Sequence, residues 1–262
     1  MRNYLAIVKK EMHTLFVSPI AYVVLAVFFA VSGYFFYIIT SSIIQRVMEM
    51  GFRSQQFGSA PPPIDVPAVI LGNYFSVIST ILLFLVPMIT MGVFAEEKKR
   101  GTIELLFTSP LTNLQLILGK FTGMMLFLLI MLLPTILKSF LLYLYSEPKP
   151  PLGPIYTGFL GALLLGGALL TIGLFISSLT ENQIVAATLC FGVFIILWVV
   201  DAVAGAGTTV GNEALRYLSI MNHYEDFTKG VLDSRHVVFY VSMIFLGLFL
   251  TSVSLNSAKW RA

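Results

Sequence analysis

The chain has 262 residues, of which 57% are hydrophobic and only 11% charged, with a formal net charge of +3. Soluble domains typically carry about 25% charged and 45–50% apolar residues, so this composition, with a mean hydropathy of +0.89, excludes an ordinary soluble enzyme. Intrinsic disorder needs the opposite balance, and so small and scattered a positive charge is not that of a nucleic-acid binder.

Residues 2–16 predict an amphipathic helix. At 100° per residue Tyr4, Leu5, Val8, Met12, Leu15 and Phe16 fall on one arc, with Arg2, Lys9, Lys10, His13 and Thr14 across from it. Such a helix suits the inner membrane interface, where its basic face meets lipid phosphates; the alternative is a basic flank that only fixes topology. Ser18-Pro19 stops it. The stretch makes a poor signal peptide, because Glu11 and His13 follow Lys9 and Lys10 and the next apolar run is too long.

A helix needs roughly 20 apolar residues to cross a hydrocarbon core about 30 Å thick. Six segments qualify, at 20–44, 69–95, 114–145, 155–178, 184–204 and 237–255. No alternating pattern with short turns appears, so a β-barrel is not expected. The expected fold class is therefore all-α: a polytopic membrane protein with an interfacial N-terminal helix. Tyr34, Phe35, Phe36 and Tyr37 in the first span, and Tyr143 and Tyr145 in the third, suit an interfacial belt. Residues 46–67 read as an outer loop containing the polyproline-prone Pro61-Pro62-Pro63.

The loop after the second span, from Glu96 through Glu97, Lys98, Lys99 and Arg100 to Pro110, is the most informative stretch. Gly101 permits a sharp change of direction and Thr102 is a credible helix N-cap. Glu104 then lies in the first turn, where it complements the helix dipole. Ile103, Leu106 and Phe107 share a face, and Ser109-Pro110 ends the element. A short helix with an apolar face outside the lipid calls for a protein partner, or else packs on its own bundle.

Ionisable groups within spans are functional candidates by default. Lys138, one turn after Pro134 in the third span, and Asp201, near the outer end of the fifth, pair across helices, line an outward-facing path, or snorkel to the outer interface. Gly158, Ala162 and Gly166 in the fourth span repeat at four-residue steps, a small-residue face that permits close helix packing, within the chain or across a dimer seam. Residues 205–235 alternate glycines with short amphipathic patterns and read as helices dipping back into the outer leaflet, or as a surface loop.

Orientation follows Lys and Arg. The side bearing Arg2, Lys9, Lys10, Lys98, Lys99, Arg100, Lys120, Lys259 and Arg261 carries nine, and the other side six. This places both termini in the cytoplasm. Cys190, the single cysteine, excludes an internal disulfide and a multi-cysteine metal site. His13, His223 and His236 show no ligand spacing, so no metal site is expected. With Asp201 the only carboxylate inside a span, intramembrane catalysis lacks its residues too. The phosphate-cradling pattern G-x-x-x-x-G-K-[ST] is absent, and no polar stretch is long enough for an ATPase domain.

The order of these parts resembles the membrane subunit of an ABC-2 (type V) ATP-binding cassette transporter. The resemblance rests on the N-terminal helix ending at Ser18-Pro19, the six spans, and the Glu97…Arg100-Gly101-Thr102…Glu104-Leu105-Leu106…Ser109-Pro110 loop. Residues 217–224 and 230–233 are similar to the corresponding region of permeases from gliding-motility and nitrous-oxide-reductase-maturation operons. The resemblance implies a permease of an ATP-driven exporter in the bacterial cytoplasmic membrane. It further implies that residues 101–110 form a coupling helix seated in a separate ABC ATPase subunit, which binds ATP and Mg²⁺, so that this chain needs no cofactor. A second permease subunit is implied as well, with substrate passing between the two along spans one, two and five, capped by re-entrant outer helices. The rival readings are a membrane scaffold that docks through the same helix and a secondary transporter, which usually shows internal repeats and midplane charges.

Overall fold

The computed structural model describes residues 2–58, 65–104, 112–147, 149–206 and 219–259. Among them every regular element is a helix: α1 (Arg2–Val17), α2 (Pro19–Phe57), α3 (Val66–Thr90), α4 (Ala95–Lys99), α5 (Asn113–Tyr145), α6 (Gly153–Leu179), α7 (Gln183–Ala206), α8 (Ile220–Thr228) and α9 (Ser234–Lys259). Helices α2, α3, α5, α6, α7 and α9 are long and apolar enough to cross a membrane. The chain is a polytopic membrane protein, with six such helices among the described residues.

Local chemistry sets the helix starts. The Ser18 hydroxyl accepts from the Ile20 amide, and Pro19, which has no amide hydrogen to lose, opens α2. Asp65 caps α3 through the Ala68 amide. Thr112 and Gln115 close a reciprocal capping box on α5. Pro134 and Pro87 are both carried inside otherwise continuous helices.

One boundary departs from expectation. The first span was expected to give way to a loop after residue 44, yet α2 runs on to Phe57. Its 39 residues reach about 58 Å at 1.5 Å per residue, nearly twice the hydrocarbon core. Arg46, Glu49 and Arg53 mark where the helix leaves lipid, not where it ends. Gly58, in the left-handed region at φ 64°, stops it. The Pro61–Pro63 stretch lies outside the described residues.

Packing centres on α6. In the most apolar windows of α3 and α6, 67% of residues are buried, against 17% in α2, α7 and α9. Glycines permit this. A Cβ on Gly158 would stand 2.6 Å from the Phe75 ring, on Gly161 2.8 Å from Phe227, on Gly166 2.5 Å from Leu128, and on Gly173 2.2 Å from the Thr90 hydroxyl. The small face of α6, with Ala162 fully buried on it, thus receives α3, α5 and α8 of its own chain. The lightly covered α2, α7 and α9 form the rim, with outward apolar side chains such as Val23, Ile196 and Phe245.

Candidate functional site

At the end of the bundle that carries α1 and α4, charges converge in the interior. Lys120, in the first turns of α5 and only 1% exposed, directs its ammonium to Glu11 Oε1 of α1 (2.9 Å), to Glu97 Oε1 of α4 (2.9 Å) and to the Val93 carbonyl (3.0 Å). Lys10 adds a second cation, 2.8 Å from Glu97 and 3.6 Å from Glu11. Two carboxylates and two ammonium groups from three elements therefore form one cluster, with the Phe94 ring 5.2 Å from the Lys120 ammonium. Glu97 Oε2 is buried and accepts no hydrogen bond among the described residues.

Helix α1 reaches this cluster because α5 is shaved where they cross. A Cβ on Gly119 would meet Ile7 at 2.6 Å, and one on Gly123 would meet Glu11 at 2.9 Å. The Tyr4 hydroxyl hydrogen-bonds Thr122 at 2.7 Å. The face that α1 buries carries Ile7, Val8 and Glu11, while Leu5 is 63% exposed. The face that α1 turns to α5 is thus narrower than the apolar arc expected from spacing and includes an acidic residue. Burial alone would depress the Lys10 pKa, but the hydrogen bond and charge of Glu97, with the charge of Glu11, hold it above the ordinary lysine value. A raised lysine pKa stabilises fully below that ordinary value and is lost only as pH rises through the raised one. This tie therefore persists throughout neutral pH.

Helix α4 is also fixed from behind. The Ser177 hydroxyl near the end of α6 accepts from the Phe94 and Ala95 amides (3.1 and 3.2 Å) and donates to the Met91 carbonyl (3.0 Å). Lys98 donates to the Ser178 carbonyl at 2.6 Å, a cation closing the negative end of the central helix. Ser177→Ala would remove the side-chain partner of two buried amides and of the part-buried Met91 carbonyl, so a loss of about 1–3 kcal/mol is expected. Hydrogen exchange should rise locally in residues 91–100, while α6 keeps its protection.

The residues singled out in the sequence fall as follows. Glu97 is in the cluster. Arg100 pairs with Glu96 and stands open to solvent, its side chain 69% exposed. Gly101 has φ 67° and lets the chain turn. Thr102 lies within a helical turn over residues 102–104, and its hydroxyl donates to the Glu97 carbonyl at 3.2 Å, clasping the preceding turn. Ile103 is buried in the chain's own core, whereas Glu104 is exposed. Leu106 and Phe107 lie outside the described residues. A cavity of about 500 Å³ adjoins the cluster, walled by Leu15, Val24, Ile89 and Phe127 and bordered by Lys10 and Glu97.

Lys138 donates to Ser32 of α2 at 2.7 Å and lies 5.7 Å from the centre of the Tyr74 ring of α3. The side chain of Asp201 lies outside the described residues. If Lys138 acts through Ser32 and Tyr74 alone, Lys138→Met and Ser32→Ala should lower thermal stability by similar amounts, and the double variant by little more. Additive losses would assign Lys138 a further contact.

At the opposite end, two histidines distant in sequence meet in space. His223 of α8 and His236 of α9 lie 13 positions apart, yet their Nδ1 atoms are 2.6 Å apart. The turn between the two helices folds them together, a juxtaposition no ligand-type spacing would reveal.

These features define a six-span membrane protein with a rigidly mounted charged turn at one end. Residues 5–257 match the family described as "ABC-2 family transporter protein", and the chain belongs to it. It is 25% identical over 175 residues to the "Probable multidrug ABC transporter permease YbhR" of Escherichia coli strain K12, and equally to its counterpart in Escherichia coli O157:H7. The aligned stretch covers 65% of this chain and 45% of theirs, so the chain spans about half the length of these curated relatives. None of the charges gathered at Lys120 had been picked out as site residues except Glu97. The available signal was Gly119-Lys120 followed by Gly123, a lysine between two small residues at the start of a span.

Proposed function

We propose that this chain is the membrane-spanning subunit of an ATP-driven exporter, moved by a separate ABC ATPase that docks at the charged turn of α4 and at the stretch 101–110 that follows it. The observation that carries this reading is the mounting of that turn: Lys120 ties α4 to α1 and α5, and Ser177 and Lys98 tie it to α6. A push on Arg100 or Glu104 would therefore reach three elements as rigid-body displacement instead of being lost in a loose loop. The ATPase supplies ATP and Mg²⁺ binding, and this chain contributes no catalytic residue. A second permease subunit covers the outward apolar faces of α2 and α7, with substrate passing between the two. Both termini and α4 then face the cytoplasm of a bacterium, with α1 in the inner leaflet interface, and α8 caps the path outside.

The test is co-purification of the chain from its native membrane with an ABC ATPase subunit. The two proteins should elute together. Leu106→Asp, Phe107→Asp or Glu104→Lys should abolish the association while the permease still elutes as a folded species. If the complex survives all three, the docking site is elsewhere. If no ATPase associates and transport follows an ion gradient, the chain is a secondary transporter; association without transport makes it a scaffold.

A further inference from the structure

Helix α8 is held to the bundle by several ties. Tyr240 donates to the Ile220 carbonyl (2.6 Å), Tyr224 to the Gly158 carbonyl (3.3 Å), and Thr157 to the Phe227 carbonyl (2.6 Å). Tyrosine and threonine hydroxyls keep their protons well beyond neutral pH. The remaining tie differs in kind. His223 Nδ1 faces His236 Nδ1 at 2.6 Å, and His236 Nε2 lies 2.7 Å from Asp226 Oδ2. His223 is buried and stacks on Phe239, with ring centroids 3.9 Å apart.

Proton counting fixes what this contact tolerates. An ionised carboxylate only accepts, so His236 Nε2 carries a hydrogen toward Asp226. Between the two Nδ1 atoms there is room for one hydrogen, one ring donating and the other accepting. If both nitrogens carry hydrogens, two N–H groups point at each other at a separation no hydrogen bond allows, and the rings must part.

We infer that His223, His236 and Asp226 form a proton-operated latch that holds α8 onto α9 at neutral pH and releases it on mild acidification of the outer face. The open form binds one more proton than the closed form. Release is therefore favoured about tenfold for each pH unit below the ordinary histidine range near 6.5. On α8 the neighbours are Glu225, paired with Lys229 at 2.7 Å, and Asp226 itself. The start of α9 contributes Asp233 and Arg235. The packed faces of α6 and α3 present Thr157, Gly158, Gly161 and Gly72, with Asp65 across a cleft from Glu225 and Lys229. The buried side of α7 presents Ala186, Cys190 and Phe194.

The latch goes beyond the docking reading and is tested without any ATPase or transported substrate. Hydrogen exchange is followed in the full chain in lipid nanodiscs at pH 5.5 and 7.5, with intrinsic rates corrected for pH. Amides 220–228 should lose protection at pH 5.5 by about tenfold, as the one-proton difference requires, while α6 stays unchanged. In the His223→Asn/His236→Asn double variant the difference between the two pH values should vanish. A second variant, Asp226→Asn, keeps both imidazoles and removes the carboxylate that favours charge on His236, so release should move to lower pH. Equal protection of 220–228 at both pH values in the natural protein, or an unchanged acid response in the double variant, overturns the proposal. So does a loss of protection that spreads equally to α6, because it reports general unfolding.

Discussion

Lys120→Met is expected to be the most destabilising charge-removing substitution in the chain. The side chain is 1% exposed and lies within 3.0 Å of two carboxylates and a carbonyl. Methionine fits the space but leaves Glu11 and Glu97 facing each other in the interior, with the half-exposed Lys10 as their only remaining partner in the cluster. Removing one member of a buried ion pair typically costs 3–5 kcal/mol, roughly, because the remaining charge keeps its desolvation penalty. Melting of the detergent-solubilised protein, followed by size exclusion, should show that loss. The sign of the second substitution distinguishes charge from packing: adding Glu11→Gln to Lys120→Met should recover part of the stability, although Glu11→Gln alone costs some. Lys120→Arg should not substitute, because a planar guanidinium needs more room and a different donor geometry than the enclosed ammonium. If Lys120→Met melts with the natural protein, the cluster contributes nothing and α1 is held by apolar packing alone. Coupling offers a second readout. In the complex proposed above, Lys120→Met permease that still binds the ATPase should transport less per ATP hydrolysed, since α1 and α5 no longer follow α4.

The sequence was most legible where structure follows from local rules. Six apolar runs gave six spans because lipid leaves a backbone no alternative to the helix. Gly101 stood where the chain turns because only a residue without Cβ takes φ 67° cheaply. Legibility failed where long-range geometry decides. Spacing placed Glu11 on neither arc of α1, and only the approach of α1 to Gly123 makes it an interior ligand for Lys120. His223 and His236 looked unrelated because their contact depends on the turn at 229–233. The end of α2 was misplaced for a different reason: hydropathy reports where lipid ends, and between residues 44 and 58 no proline or run of glycines obliges the helix to stop there. The charged turn before Gly101 lay in between. Its residues were evident, but not that Ile103 folds inward while Glu104 stays out.

The small residues of α6 should prove unequal, and their ranking is a test of the packing. Gly173→Ala should be the worst: the new methyl would stand 2.2 Å from the Thr90 hydroxyl and 2.6 Å from its Cβ. Thr90 is β-branched and has few rotamers in a helix, and its hydroxyl already donates to the Val86 carbonyl at 3.0 Å, so α3 itself must move. Overpacking of this kind typically costs about 1–3 kcal/mol, and here the upper end is expected, with loss of α3–α6 contact and poor assembly. Gly166→Ala meets Leu128 Cδ2 at 2.5 Å, the far end of a flexible side chain. It should cost less and be relieved by Leu128→Ala in the same molecule, a coupling that a double-mutant cycle reads directly. Gly192→Ala, on the rim helix α7 with nothing within 4 Å of the new methyl, should be neutral or slightly stabilising in the isolated subunit. Thermal melting and expression level together give the order. In the assembled permease Gly192 carries an added meaning: α7 is one of the faces proposed to meet the second subunit. A substitution harmless to the lone chain but damaging to the dimer would place that seam at Gly192, whereas equal tolerance in both would move it to another face of the rim.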